Sequence, residues 1–157
     1  MLQEKDDEEE CCRECYYSPL SHSFKLISNN GDEDYFYCCP SAGKKYDDDI
    51  GIEQHILIEL NQINKPYILI IDAQAFRLRH RAYVDIIMKL MHTWRSLQLK
   101  HIVIINRNMI FNMKLNYVWY SIPTYIREKI IVDYSGNFAN LLAINEDAGH
   151  VTLRTLY

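Results

Sequence analysis

Long apolar runs are missing from this chain. No stretch approaches the roughly 18 residues that a membrane-crossing helix requires. The first residues are acidic, unlike the basic and then apolar start of a secretory signal, so a cytoplasmic protein is expected. An excess of basic charge is missing too. The net charge is −4, with −7 on residues 1–39 and +3 on residues 40–157. That excess lacks the basic stripe of a nucleic-acid binder, and no nucleic-acid partner is expected. A small basic patch facing phosphates is compatible with it. Cysteine is absent after residue 39. The five that exist are Cys11, Cys12, Cys15, Cys38 and Cys39. An odd number without an export signal argues against a disulfide scaffold. Cys12, Cys15, Cys38 and Cys39 make a conceivable zinc set, with His22 in reserve. Adjacent cysteines are awkward joint ligands, however, and no clean repeated C-x-x-C occurs. Free thiols are the default reading, and no metal is expected.

Catalytic signatures are missing as well. There is no nucleophile elbow and no H-E-x-x-H. Ser41-Ala42-Gly43-Lys44-Lys45 fails as a phosphate loop, because Cys38 stands where the first glycine belongs and Lys45 where Ser or Thr belongs. An enzyme is not expected.

What is present is organised around Lys65 to Phe76. Pro66 ends whatever precedes it. Tyr67 to Ile71 is an unbroken apolar run, as in a parallel strand buried on both faces. Asp72 closes it at the end where open sheets meet ligands, although a loop or cap acid is the plainer reading. His101 to Ile105 is a second such run and Ile130 to Val132, ending in Asp133, a third. Between the first two, Tyr83, Ile87, Leu90, Met91, Trp94 and Leu97 trace a helix. Before them, Ile52, Ile56, Leu60 and Ile63 trace another, with Asp47 to Asp49 as capping acids. His55 lies beside that stripe and reads as a packed structural histidine. Arg77 to Arg81 form a basic cluster after the first strand. Phe24–Ile27 and Tyr35–Cys39 suggest a hairpin across the turn signal Asn29 to Asp32. Phe138, Leu141, Leu142 and Ile144 suggest a last helix, and Val151 to Tyr157 a terminal strand.

The fold class expected is therefore α/β, a mainly parallel β-sheet flanked by helices on both sides. Residues 1–20 read as an acidic leader too polar to bury itself, and residues 21–157 as one domain. Met113 to Ile122 is unusual: Leu115, Tyr117, Val118, Trp119, Tyr120 and Ile122 run nearly all the way round a helix. Such a helix is either fully buried or covers something apolar.

The order of these pieces resembles the CRAL-TRIO lipid-binding family. The matching pieces are Asp72, the helix from Tyr83 to Leu97, Asn106 to Phe111, the aromatic helix from Met113 to Ile122, and Lys129-Ile130. Tyr35-Phe36-Tyr37 and Lys65-Pro66-Tyr67 look most like the divergent module of neurofibromin and some Rho-GAP proteins. Asn108 departs from the pattern, which has a proline there. The resemblance implies a cavity for a phospholipid or similar lipid, gated by an aromatic lid helix. Phe111, Met113, Leu115, Tyr117, Val118, Trp119 and Ile122 would line the cavity and lid. Arg107, Lys114 and Arg127 are the head-group candidates, with ordinary surface charge as the competing reading. The bound lipid would be the one ligand, with no other cofactor. The partners implied are a transient membrane surface, with peripheral attachment, and a small GTPase or its regulator. The alternative is a protein-interaction scaffold of the same fold without a cavity.

Overall fold

The structure, a computed structural model, describes residues 12–28, 32–93, 98–133, 142–145 and 150–153. The first element among the described residues is helix α1 (Arg13–Tyr17), inside the stretch whose charge suggests a leader. Cys12 and Cys15 are buried there, so the packed part of the chain begins no later than Cys12. Strands β1 (Lys25–Ser28) and β2 (Asp34–Cys38) pair antiparallel, as the turn signal suggests. Helix α2 (Asp49–Asn61) follows, then β3 (Tyr67–Asp72), α3 (Arg81–Thr93), β4 (Leu99–Ile105), α4 (Met109–Trp119), α5 (Thr124–Arg127) and β5 (Ile130–Val132). β2, β3, β4 and β5 are parallel neighbours, and the five strands stand in chain order. Residues 94–97, where the third helix was expected to end, lie outside the described residues.

Unbroken apolar runs became central strands because both of their faces are covered. All six residues of β3 are buried. Alternation then sorts them. Tyr67, Leu69 and Ile71 join Phe36, Cys38, Ile102 and Ile104 under the helices, while Ile68 and Ile70 join Tyr37, Cys39, Val103 and Ile105 on the other face. Leu26, Phe36, Leu69, Ile102 and Ile130 form one cross-strand row. The stripe Ile52, Ile56, Leu60 and Ile63 is buried on the helical face, together with Tyr83, Ile87, Leu90 and Met91 of α3 and Phe111, Leu115 and Ile126 further on. Sequential strand order with right-handed crossovers puts successive helices on one face. Among the described residues, the buried cluster on the second face is built from strand residues and Cys39.

The helix predicted over Phe138 to Ile144 is not formed by Leu142 and Ile144. They stand in β6 (Leu142–Asn145), which pairs antiparallel with β7 (His150–Leu153). Their spacing of two puts them on one face of a strand and on opposite sides of a helix, and pairing with β7 completes the strand. Phe138 and Leu141 lie outside the described residues.

Before α3, Leu78–His80 forms a short 3₁₀ turn. His80 is buried there, and its Nδ1 accepts the Arg77 amide at 3.0 Å. Burial, then the Arg79 and Arg77 charges, hold its pKa below the usual histidine range. The unfolded chain therefore binds more protons than the folded one as pH falls below about 6.5, and this part of the stability is lost from there downward. His80→Asn keeps an acceptor for Arg77. It is expected to make urea-derived stability fall less steeply between about pH 7 and pH 5.

Candidate functional site

The carboxyl edge of the sheet is held by Asp72. It is buried; its Oδ2 accepts the Tyr37 hydroxyl at 2.5 Å. Its Oδ1 accepts the Gln74 amide at 3.0 Å and the Asn106 side-chain amide at 3.1 Å. Burial first, and then this carboxylate, push the Tyr37 phenol far above its ordinary pKa. Asn106 itself sits at φ 52°, a left-handed conformation that asparagine tolerates. The acid thus ties β2, β3 and the exit of β4 into one knot, so its interactions are spent inside the fold.

Asn106 turns the chain into α4, whose start differs from the expected one. The helix begins at Met109 because Asn108 is its N-cap, accepting the Phe111 amide at 2.9 Å. The same side chain donates to the Phe76 carbonyl at 3.0 Å. The departure from the proline pattern thus has a structural use: Asn108 pins the first turn of α4 to the β3–α3 connection. There the rings of Phe111 and Phe76 meet edge to face, 5.1 Å apart.

α4 proves two-sided. Phe111 (1% exposed), Leu115 and, beyond the helix, Ile122 are in the core, with Val118 and Trp119 packed against it. On the outside, Met109 (75%), Met113 (64%), Tyr117 (85%) and Tyr120 (87%) make an exposed apolar row. Their spacing of i, i+4, i+8 and i+11 places them on one face. The apolar residues that run all round the helix are thus divided between the protein interior and the surface.

The three cations are placed differently from one another. Lys114 is committed to Asp85 of α3 at 2.7 Å and leans over the Tyr117 ring. Arg127 bonds Thr124 at 3.0 Å and lies 6.0 Å from the Trp119 ring centre. Arg107 precedes α4 and reaches Asn112 at 3.4 Å. A cleft of about 400 Å³ opens elsewhere, between Tyr46, Asp47 and Asp49 on one side and Arg79, Arg81 and Asp85 on the other.

The early cysteines divide as well. Cys38, the last residue of β2, and Cys39, just after it, fall in the buried clusters on opposite faces of the sheet, so they do not form a joint site. Burial pushes both thiols up in pKa. Cys12, Cys15 and His22 do converge, and they are joined by His55. The metal-free expectation for these cysteines, and the structural reading of His55, both have to be weighed against that cluster.

These features define a non-symmetric α/β module: a five-stranded, mostly parallel sheet with helices over it, similar to the Sec14-like fold. No family model matches the chain, and no curated protein sequence matches it. Among solved structures, it is similar to the crystal structure of Sfh5, a Sec14-family (CRAL-TRIO) protein, with a TM-score of 0.55 and 10% identity. The match covers 70% of this chain and 47% of that one, so the chain spans about half the length of the structure it resembles. The likeness supports the fold of the wider family, and not the narrower neurofibromin-type module.

Proposed function

We propose that the chain is a non-catalytic module that binds a phospholipid or similar hydrophobic ligand, with the outer row of α4 as its contact. The observation that carries this reading is the two-sidedness of α4. Exposed apolar rows of this size mark interaction surfaces, and tyrosines with one wet end suit the boundary between water and lipid. Arg107 and Arg127, near the two ends of α4, supply positive charge for a phosphate head group. The Sec14-like fold agrees with such a role. Attachment would be peripheral and reversible, from a cytoplasmic pool.

Engagement at the surface fits the packing better than a gated interior cavity does. A cavity under α4 would require Phe111 and Leu115 to leave the core. The same packing favours a second reading, a protein-interaction scaffold of this fold, whose partners would include a small GTPase or its regulator. Lipid extraction and mass spectrometry of the purified protein, alongside vesicle binding, separate the readings. Vesicle binding without co-purified lipid is expected. Stoichiometric co-purified lipid would restore the gated cavity. Neither lipid nor vesicle binding would leave the scaffold.

A further inference from the structure

The four groups that converge under α1 have the composition of a metal site. The Sγ atoms of Cys12 and Cys15 and one ring nitrogen each of His22 and His55 lie within 4.8 Å of one another, and all four residues are buried. A tetrahedral zinc with two sulfur and two nitrogen ligands needs edges of about 3.3–3.8 Å, from bond lengths of about 2.3 and 2.0–2.1 Å. His22 Nδ1 stands 3.4 Å from Cys12 Sγ and 3.9 Å from Cys15 Sγ.

Both imidazoles are held through Nε2. His22 Nε2 lies 3.1 Å from the Asp48 carboxylate, and His55 Nε2 lies 2.5 Å from the Phe24 carbonyl. Each acceptor requires a proton on Nε2, which leaves Nδ1 with a bare lone pair. A carboxylate or carbonyl behind the ring is the usual second layer of a metal-bound histidine. His55 Nδ1, in a residue only 3% exposed, has no hydrogen-bond partner at all. A buried polar atom without a partner is costly, and a cation at the centre of the cluster would satisfy it. The sulfurs are prepared too. Cys12 Sγ accepts the Cys15 amide at 3.4 Å and Cys15 Sγ accepts the His22 amide at 3.3 Å, so backbone amides fix the place of both atoms. Gly51 leaves room for this arrangement: a Cβ there would lie 2.0 Å from Asp48 Oδ2 and 2.9 Å from His22 Cε1.

We infer that Cys12, Cys15, His22 and His55 bind one zinc ion that fastens the N-terminal segment to α2. Two thiolates and two neutral imidazoles suit zinc by ligand softness and geometry. Four buried protein ligands leave no open position, so the site is structural rather than catalytic. α1, of five residues, is too short to persist alone, which gives the ion a definite task. The inference is independent of the lipid reading.

The test uses the full chain, expressed with added zinc and purified without chelator. Elemental mass spectrometry is expected to find one zinc per chain. After chelator stripping, titration with Co²⁺ is expected to give the intense visible bands of tetrahedral cobalt with thiolate charge transfer. Cys15→Ala and His55→Ala should lose the metal, while Cys39→Ala, outside the cluster, retains it. Asp48→Asn should stay folded and bind about 10–100-fold more weakly. If Cys15→Ala does not fold, the cobalt spectrum of the unaltered chain still decides. Wild-type protein with no stoichiometric metal and only the weak spectrum of aqueous cobalt would overturn the inference. So would metal content unchanged in both Cys15→Ala and His55→Ala.

Discussion

Phe111→Ala is expected to destabilise the protein by about 3–5 kcal/mol, the range for a fully buried phenylalanine replaced by alanine. The ring is 1% exposed and lies edge to face on Phe76. Its loss leaves a cavity that the surroundings cannot close easily, because the Asn108 cap and its bond to the Phe76 carbonyl hold the backbone on both sides. At about 2–4 °C per kcal/mol for a domain of this size, the melting temperature should fall by roughly 6–20 °C. Urea denaturation gives the free energy directly. A loss below about 1 kcal/mol would mean that α4 is not anchored through this ring.

The second large effect is at Asp72. Asp72→Ala strands the buried Tyr37 hydroxyl and the Asn106 amide, and each buried group left without a partner costs about 1–3 kcal/mol. A loss of about 3 kcal/mol or more is expected by urea denaturation. Tyr37→Phe removes the other half of the strongest contact. In a double-mutant cycle the Asp72→Ala and Tyr37→Phe costs should fall short of additivity by more than about 0.5 kcal/mol. Additive costs would show that the 2.5 Å contact carries no coupling energy, and an Asp72 free of structural duty would revive the reading of this acid as a ligand group.

The fold was legible where physics leaves a simple pattern. Tyr67 to Ile71 and His101 to Ile105 read as central strands because burial on both faces removes alternation. Ile52, Ile56, Leu60 and Ile63 read as a helix because one face is buried, and Asp48 supplies the cap as expected. The start of α4 was not legible: the aromatic run suggests a helix from Met113, while Asn108 already caps one that begins at Met109. An asparagine ahead of a run rich in apolar residues is a cap signal that could have moved the boundary. Phe138, Leu141 and Leu142 stand at i, i+3 and i+4 and suggest a helix, but Leu142 and Ile144 have the two-residue period of the strand they form.

The candidate sites were less legible. The apolar belt of α4 was visible in the sequence, but its division into an anchored face with Phe111 and Leu115 and an exposed face with Met113 and Tyr117 depends on what lies beneath the helix. Cys12, Cys15 and His22 were in view as metal ligands. His55 was not, since it is far away in sequence and sits on a helix that explains it equally well as a core residue. Strand alternation could have excluded Cys38 and Cys39 as joint ligands, once β2 was accepted as a strand.

The central claim is that the outer row of α4 meets lipid while its inner face holds the core. The most direct measurement is co-sedimentation with vesicles of phosphatidylcholine and phosphatidylserine, comparing the wild-type chain with Met113→Ser/Tyr117→Ser/Tyr120→Ser. These side chains are exposed, so the melting temperature should be unchanged, and the variant should stay in the supernatant while the wild type pellets with the vesicles. Equal pelleting of the two proteins, or a wild type that leaves the vesicles untouched, would contradict the account.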